Sequence, residues 1–243
     1  MKALSLDSTI AEVHYTLALM YTWGMFDWES GEQSFKKAIM LKPNYPEARL
    51  YYSILNILGR QDEAKVQAET GIEQDPANPL ILDLYAGDLG FLRQYEEALN
   101  ILRKAFEIDP ASILATWHAG VTYFSLGNYN DAFEAFKSAF SFQYSNLSHA
   151  FGEVTDGADI KKIFKKEADT LARQRTKSYI LPTDIAISYF ISGEYNKAID
   201  WLEKGLEEKD PNMPYAISDP FFDPLKDEPR FREIAKKMNL PYK

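Results

Sequence analysis

The sequence predicts an all-α protein, a right-handed α-solenoid of stacked antiparallel helix hairpins, and three observations carry that expectation. Pro43, Pro76 and Pro110 close similar heptads 33 and 34 residues apart: Lys37 to Pro43, Thr70 to Pro76 and Lys104 to Pro110. A period of that size marks a repeat architecture, in which each unit leaves an apolar face for its neighbour to cover. Within each period apolar residues recur at i, i+3, i+4 and i+7, the pattern of amphipathic helices, without sustained alternation. Glycines and prolines stand where one helix of a pair has to end.

The elements follow in order. Residues 1–10 align with the tail of a second helix: Lys2-Ala3-Leu4-Ser5-Leu6-Asp7-Ser8 matches Lys104-Ala105-Phe106-Glu107-Ile108-Asp109-Pro110. That alignment predicts a C-terminal piece of a longer polypeptide, or a segment cut from one. Residues 11–144 read as four hairpins. In the first, Leu17, Ala18 and Tyr21 precede a turn with one extra residue, Trp23 to Trp28, and Gly31, Phe35 and Ala38 follow. The second turns at Gly59 and continues through Ala64, and its one-residue deletion leaves either Tyr52 or Ser53 at the small position of its first helix. Tyr85, Ala86, Leu89, Ala98, Leu102 and Ala105 make the third, and Ala119, Gly120, Tyr123, Ala132, Phe136 and Ala139 the fourth. The second-helix marker sits at Gly31, Ala64, Ala98, Ala132 and Ala198, the first four positions spaced 33, 34 and 34. Small residues at Ala18, Ala86, Gly120 and Ala186 let helices approach while large neighbours interdigitate, so most of the fifteen Tyr and fifteen Phe read as core. Glycines 59, 127 and 193 are placed to take a left-handed backbone at the helix ends.

Residues 145–178 form a degenerate unit. Gly152 and Gly157 interrupt its first half, and Ile160, Ile163, Phe164, Ala168 and Leu171 give its second half one apolar face. Lys161, Lys162, Lys165 and Lys166 read as a solvated basic patch, with an acidic partner as the alternative. A final hairpin spans 179–212 through Ile185, Ala186, Tyr189, Ala198, Leu202 and Gly205. In 213–243 the period breaks, and Phe221, Phe222, Leu225, Phe231, Ile234 and Met238 are placed to cap the last hairpin, as the end of an array requires.

Composition narrows the function. With 27 Lys+Arg against 36 Asp+Glu and a net charge of -9, the surface does not suit a phosphate backbone, so direct nucleic-acid binding is not expected. The chain has no cysteine, which removes disulfides, thiolate metal sites and cysteine nucleophiles. No apolar run reaches membrane-spanning length and no secretory leader is visible, so a cytoplasmic location is expected. His14, His118 and His149 lie in different units without the spacing of a metal site. Ala86-Gly87-Asp88-Leu89-Gly90 lacks the strand and lysine of a phosphate loop, and no Gly-x-Ser-x-Gly elbow occurs. The expectation is a protein without enzyme activity, cofactor or metal.

His14-x2-Leu17-Ala18-x2-Tyr21 with Gly31, Phe35, Ala38 and Pro43, and Thr116-x2-Ala119-Gly120-x2-Tyr123 with Ala132, Phe136 and Ala139, are in phase with Leu82-x2-Tyr85-Ala86-x2-Leu89 and Pro182-x2-Ile185-Ala186-x2-Tyr189. This pattern resembles the tetratricopeptide repeat. The closing segment after Trp201, with the Phe26-Asp27-Trp28 turn, is similar to the C-terminal arrays of bacterial signalling and transcription-regulatory proteins. The resemblance implies a concave face lined by the first helix of each unit: Tyr15, Leu19 and Trp23; Asp83, Leu84 and Phe91; Trp117, His118, Val121 and Phe124; and Thr183, Asp184 and Ile187, with Leu50 or Arg49 from the second unit. The lysine and asparagine clamp of chaperone-binding members is not supported, because its positions hold Tyr15 and Leu19, Asp83 and Gly87, Trp117 and Val121. An aromatic face favours an apolar peptide or helix of a protein partner, with Trp23 and Trp117 as anchors. Two other roles stay open, a domain sensing a small ligand or peptide and a module pairing two copies through the N-terminal stub.

Overall fold

The computed structural model describes residues 9–144 and 160–241, apart from the side chains of residues 50 and 52. The N-terminal stub from Met1 to Ser8, and Gly152, Gly157 and His149 of the degenerate unit, lie outside the described residues. Every regular element among the described residues is helical. They are α1 (Ala11–Leu19), α2 (Trp28–Leu41), α3 (Pro46–Tyr52), α4 (Gln61–Gln74), α5 (Pro79–Phe91), α6 (Tyr95–Ile108), α7 (Ile113–Ser125), α8 (Tyr129–Gln143), α9 (Ile160–Gln174), α10 (Pro182–Ser192), α11 (Tyr195–Glu208), α12 (Met213–Ser218) and α13 (Pro229–Lys237). Consecutive helices pair as hairpins: α1 with α2, α3 with α4, α5 with α6, α7 with α8 and α10 with α11, while α9 packs against α10. The chain divides into two compact units, residues 1–110 with 235–243, and residues 111–234.

In the first unit, the extra residue of the first turn coincides with π-helical winding over Met20–Gly24, a single-turn bulge at the end of the helix. The winding turns Thr22 inward: it is fully buried, and its hydroxyl donates to the Ala18 carbonyl at 2.8 Å. A Cβ at position 31 would meet Thr22 Cγ2 at 2.4 Å, so the marker position that holds alanine in the other hairpins must hold glycine in this one. The deletion in the second hairpin appears as a short α3 that tightens into a 3₁₀ turn at Ser53–Leu55, with Ser53 buried. Ala18, Phe35, Leu55 and Ala64 form a core cluster, walled by Tyr15, Leu19, Trp23, Tyr51 and Leu58.

The last residues of the chain also belong to this unit. The Trp28 indole N–H donates to the Met238 carbonyl at 2.8 Å in a buried bond, and the Asn239 amide donates to the Phe26 carbonyl at 3.3 Å. The backbone carbonyl of Met238, a residue of the expected cap, thereby satisfies the buried donor of the Trp28 indole in the first turn.

In the second unit a Cβ on Gly120 would meet the Phe136 ring at 2.8 Å, which is why the small position of α7 cannot grow. Phe133 and Phe136 of α8 both present edges to Phe164 of α9, at 5.9 Å. The cap folds as α12 and a 3₁₀ turn over Pro220–Leu225. Phe221, Phe222, Leu225, Phe231 and Ile234 are buried, and both Phe221 and Phe222 pack 4.8 Å from Phe190 of α10. Gly59, Gly127 and Gly193 take φ of +74°, +78° and +83°, the left-handed conformation expected of them. Two hairpin turns manage it without glycine, at Phe26 with φ 53° and Arg93 with φ 58°.

Candidate functional site

The first helices of the hairpins carry the sequence-predicted groove residues, and the two units treat them differently. In the first unit Tyr15, Leu19 and Trp23 run along α1 and its π-helical extension, all half-buried. Tyr15 stands edge-on to Phe35 at 6.1 Å and lies 5.2 Å from Tyr45 and 5.7 Å from Tyr51. Trp23 meets Tyr51 at 5.7 Å and a right angle of 89°. The Tyr15 hydroxyl donates to that of Tyr51, and burial raises both hydroxyls above the usual tyrosine range. Each of these rings keeps only part of its surface exposed.

Charge surrounds this aromatic surface. The Lys42 ammonium sits 4.6 Å above the Tyr45 ring and pairs with Glu12 at 2.8 Å. Glu47, half-buried, makes no side-chain hydrogen bond or ion pair among the described residues, yet its charge reaches Tyr15, Tyr45 and Tyr51 and helps to hold their protons. Arg49, one candidate for the second unit's contribution, is committed to Gln67 at 3.1 Å and to the Pro43 carbonyl at 3.4 Å. The Leu50 side chain lies outside the described set. On α5, Leu84 and Phe91 are half-buried, but Asp83 is 2% exposed.

In the second unit Trp117, His118, Val121 and Phe124 are half-buried on α7. Trp117 packs edge-on to Phe136 at 5.3 Å and to Phe140 at 5.5 Å, so part of its indole is a wall of the core. Phe124 lies between Tyr129 at 5.4 Å and Phe221 of the cap at 5.1 Å. Phe221 thus bridges Phe124 and Phe190, which hold the same position in two different hairpins.

Thr183, Asp184 and Ile187 of α10 are buried at 1%, 3% and 7% exposure, so the face they were expected to present is closed. The reason is polar as well as apolar. The Thr183 N–H and hydroxyl both donate to Asp210, at 2.9 and 2.8 Å, capping the start of α10. Asp184 accepts from the Tyr144 hydroxyl at 2.5 Å and from Gln143 at 3.1 Å. Burial pushes its carboxyl up to about 7, against the opposing effect of the Tyr144 hydrogen bond. Glu167 of α9 is fully buried, neither oxygen has a hydrogen-bond partner among the described residues, and its carboxyl is raised well above the usual range by burial and by the Asp184 charge. A buried carboxyl without a donor is favoured neutral.

Sequence reasoning missed Tyr45, Glu47 and Tyr51. Tyr45 and Glu47 follow the helix-ending Pro43, where the repeat pattern assigns no contact, and Tyr51 sits beside the deletion that blurred the phase. Among the described residues no group of three or more His, Cys, Asp or Glu could hold a metal ion, and no helix is long and apolar enough to cross a membrane.

Residues 89–112 and 117–146 match the family model described as "Tetratricopeptide repeat". No curated protein matches the sequence significantly. Among solved structures, the chain resembles a chain from the Cut9–Hcn1 hetero-tetramer of the APC/C at a TM-score of 0.58 and 16% identity, covering 98% of this chain and 44% of that one. It resembles PilW, a type IV pilus biogenesis factor, at a TM-score of 0.55 and 17% identity, with 84% of this chain and 94% of that one covered. PilF of Pseudomonas aeruginosa aligns at a TM-score of 0.52 and 16% identity, over 95% and 98%. At such identities the likeness is one of fold.

Proposed function

We propose that this chain, whose hairpins are tetratricopeptide repeats, is a non-catalytic protein-interaction scaffold that captures a peptide or helix of a partner on the first helices of its hairpins. The repeat family is generally a scaffold fold, and repeats of this kind suit protein partners. One observation carries the reading: four aromatic rings, Tyr15, Trp23, Tyr45 and Tyr51, stay half-exposed on the first unit although each packs edge-on or tilted against another. Rings fixed by neighbours lose little rotamer freedom on binding, and Trp and Tyr dominate interface hot spots. In this proposal Tyr15, Leu19, Trp23, Leu84 and Phe91 make the binding face of the first unit, and Trp117, His118 and Val121 make a face of the second, each within its own unit. Asp83, Thr183, Asp184 and Ile187 support them from below, and Phe124 is held by the cap.

Selection of a displayed peptide library on the full chain tests this reading. Enriched peptides should bind the unaltered chain and lose about tenfold or more in affinity for Trp23→Ala, the loss expected of a central aromatic anchor. Peptides that bind both forms equally, or a library that yields no binder, would sink the assignment.

A further inference from the structure

The aromatic surface of the first unit is unusual for what surrounds it. Tyr15, Tyr45 and Tyr51 present half-exposed rings, and two carboxylates border them, Glu12 and Glu47. Around such rings the π-face is electron-rich, and a cation placed on it is attracted electrostatically. The molecule shows this with its own side chain: the Lys42 ammonium lies 4.6 Å over Tyr45 while paired with Glu12 at 2.8 Å. That arrangement uses one ring and one carboxylate. Glu47 keeps no ion-pair partner among the described residues, and no described cation lies over Tyr15 or Tyr51.

We infer that this surface receives a cationic side chain, an arginine or lysine, from an otherwise apolar partner segment. The inference rests on the groove reading above and adds the chemistry of its first anchor. Four features support it. The carboxylate of Glu47 is half-buried without a direct ion pair among the described residues, sharing only the field of Lys42, which is already paired with Glu12, and an arriving guanidinium or ammonium supplies a direct partner. Beside it, the Tyr15 and Tyr51 rings are fixed edge to face by Phe35 and Trp23, so their faces are already organised. All three tyrosine hydroxyls hold their protons above the usual range, by burial first, with the negative field of Glu47 adding in each case. Finally, the chain as a whole carries a net charge of -9, which steers basic partners towards it. A phenylalanine-only surface with no acid would have accepted any apolar segment; tyrosines bordered by carboxylates discriminate by charge.

The test uses the full chain and a synthetic array of apolar helical peptides that differ at a single position, arginine, lysine, citrulline or glutamate. Citrulline keeps the shape and hydrogen bonding of arginine without its charge. Arginine and lysine peptides should be retained about tenfold more tightly than citrulline and glutamate peptides. Glu47→Gln should cut that preference to about threefold, and Tyr45→Leu should lower it as well. Lys42→Met, which vacates the Tyr45 face and Glu12, should raise retention of the arginine peptide. Tyr15→Ala is avoided because it strips a wall from Phe35, whereas residues 42, 45 and 47 lie in or beside a connection, and equal melting temperatures confirm that their variants stay folded. Equal retention of arginine and citrulline peptides overturns this inference and leaves the groove standing, as does an arginine preference that survives Glu47→Gln with Tyr45→Leu. Retention of no peptide by the unaltered chain overturns both.

Discussion

The first and second units are written in the same hairpin grammar and end with different surfaces, the sharpest contrast lying between α1 of the first and α10 of the second. In the first, Tyr15, Tyr45, Tyr51 and Trp23 stay half-buried beside the carboxylate of Glu47, which has no direct ion pair among the described residues. In the second, the corresponding stretch of α10 is buried, and the cap's Phe221 fills the space between Phe124 and Phe190. One repeat position accounts for much of the difference. It holds Phe124 and Phe190 in the second unit and Thr22 and Gly90 in the first. Two phenylalanines in register make a socket that a third ring can enter, while a buried threonine and a glycine offer none. In these hairpins the side chain at this one position goes with whether a cap ring finds a socket.

The strongest way to break this contrast is to remove the cap's rings. Phe222→Ala deletes a side chain 1% exposed that touches Phe190, Phe221 and Phe231. It should destabilise the second unit by about 3–5 kcal/mol. Hydrogen exchange read by mass spectrometry should show α10 and α11 losing protection while α1 and α2 keep theirs. Uniform loss across both units would mean that the cap does not act locally.

Acid titration separates the units next. Asp184, pushed up to about 7, and Glu167, raised well above its ordinary range, are both in the second unit, while the first has Asp88, at about 7, buried near Ser53 and Asn56. The unfolded carboxyls ionise near 4, so between about pH 4 and pH 7 the folded state binds more protons than the unfolded one. The stability these buried acids contribute is therefore fully present below about pH 4 and is lost as pH rises through about 7, with the loss larger in the second unit. Asp184→Asn should flatten that slope and retain a few kcal/mol at neutral pH. Urea denaturation at several pH values checks it, and a slope of the opposite sign would contradict the burial of these acids.

These cases also mark what the sequence could tell. The hairpins, their small-residue contacts and three left-handed glycines were legible because each is a local pattern repeated with a fixed period. The expected groove was legible only in part. Asp184 fits a first-helix surface position by register, and nothing adjacent in sequence announces that Tyr144 and Gln143, forty residues away, enclose it. Met238 reads as part of a cap by its place at the end, but the acceptor of the Trp28 indole is decided by a contact spanning 210 residues. Periodicity describes what neighbours do and leaves long-range polar pairing open.

That long-range bond gives a smaller, sharper test. Trp28→Phe keeps a ring against Phe26 and leaves the Met238 carbonyl without its donor. The expected cost is about 1–2 kcal/mol, confined to the first unit. Exchange protection should fall at Leu240, whose N–H bonds Ala235, while the second unit's cap at Phe221 and Phe222 is unchanged.

The smallest effect compares two turns. Gly127 of the second unit takes φ +78° at no steric cost, whereas Arg93 of the first holds φ 58° with a Cβ. For an L-residue that conformation costs roughly 1–2 kcal/mol, against which glycine carries a larger loss of backbone entropy on folding. Arg93→Gly should therefore stabilise the first unit by about 0.5–1 kcal/mol, and Gly127→Ala should destabilise the second by about 1 kcal/mol, although no atom lies within 4 Å of the added Cβ. The two substitutions lie in different units, so their effects should add in the double variant if each unit folds around its own hairpins. Thermal melts of the two single variants and the double measure this. Destabilisation by Arg93→Gly would show that the arginine's contacts outweigh the strain of its backbone, and that the first unit has turned a missing glycine into a point of attachment.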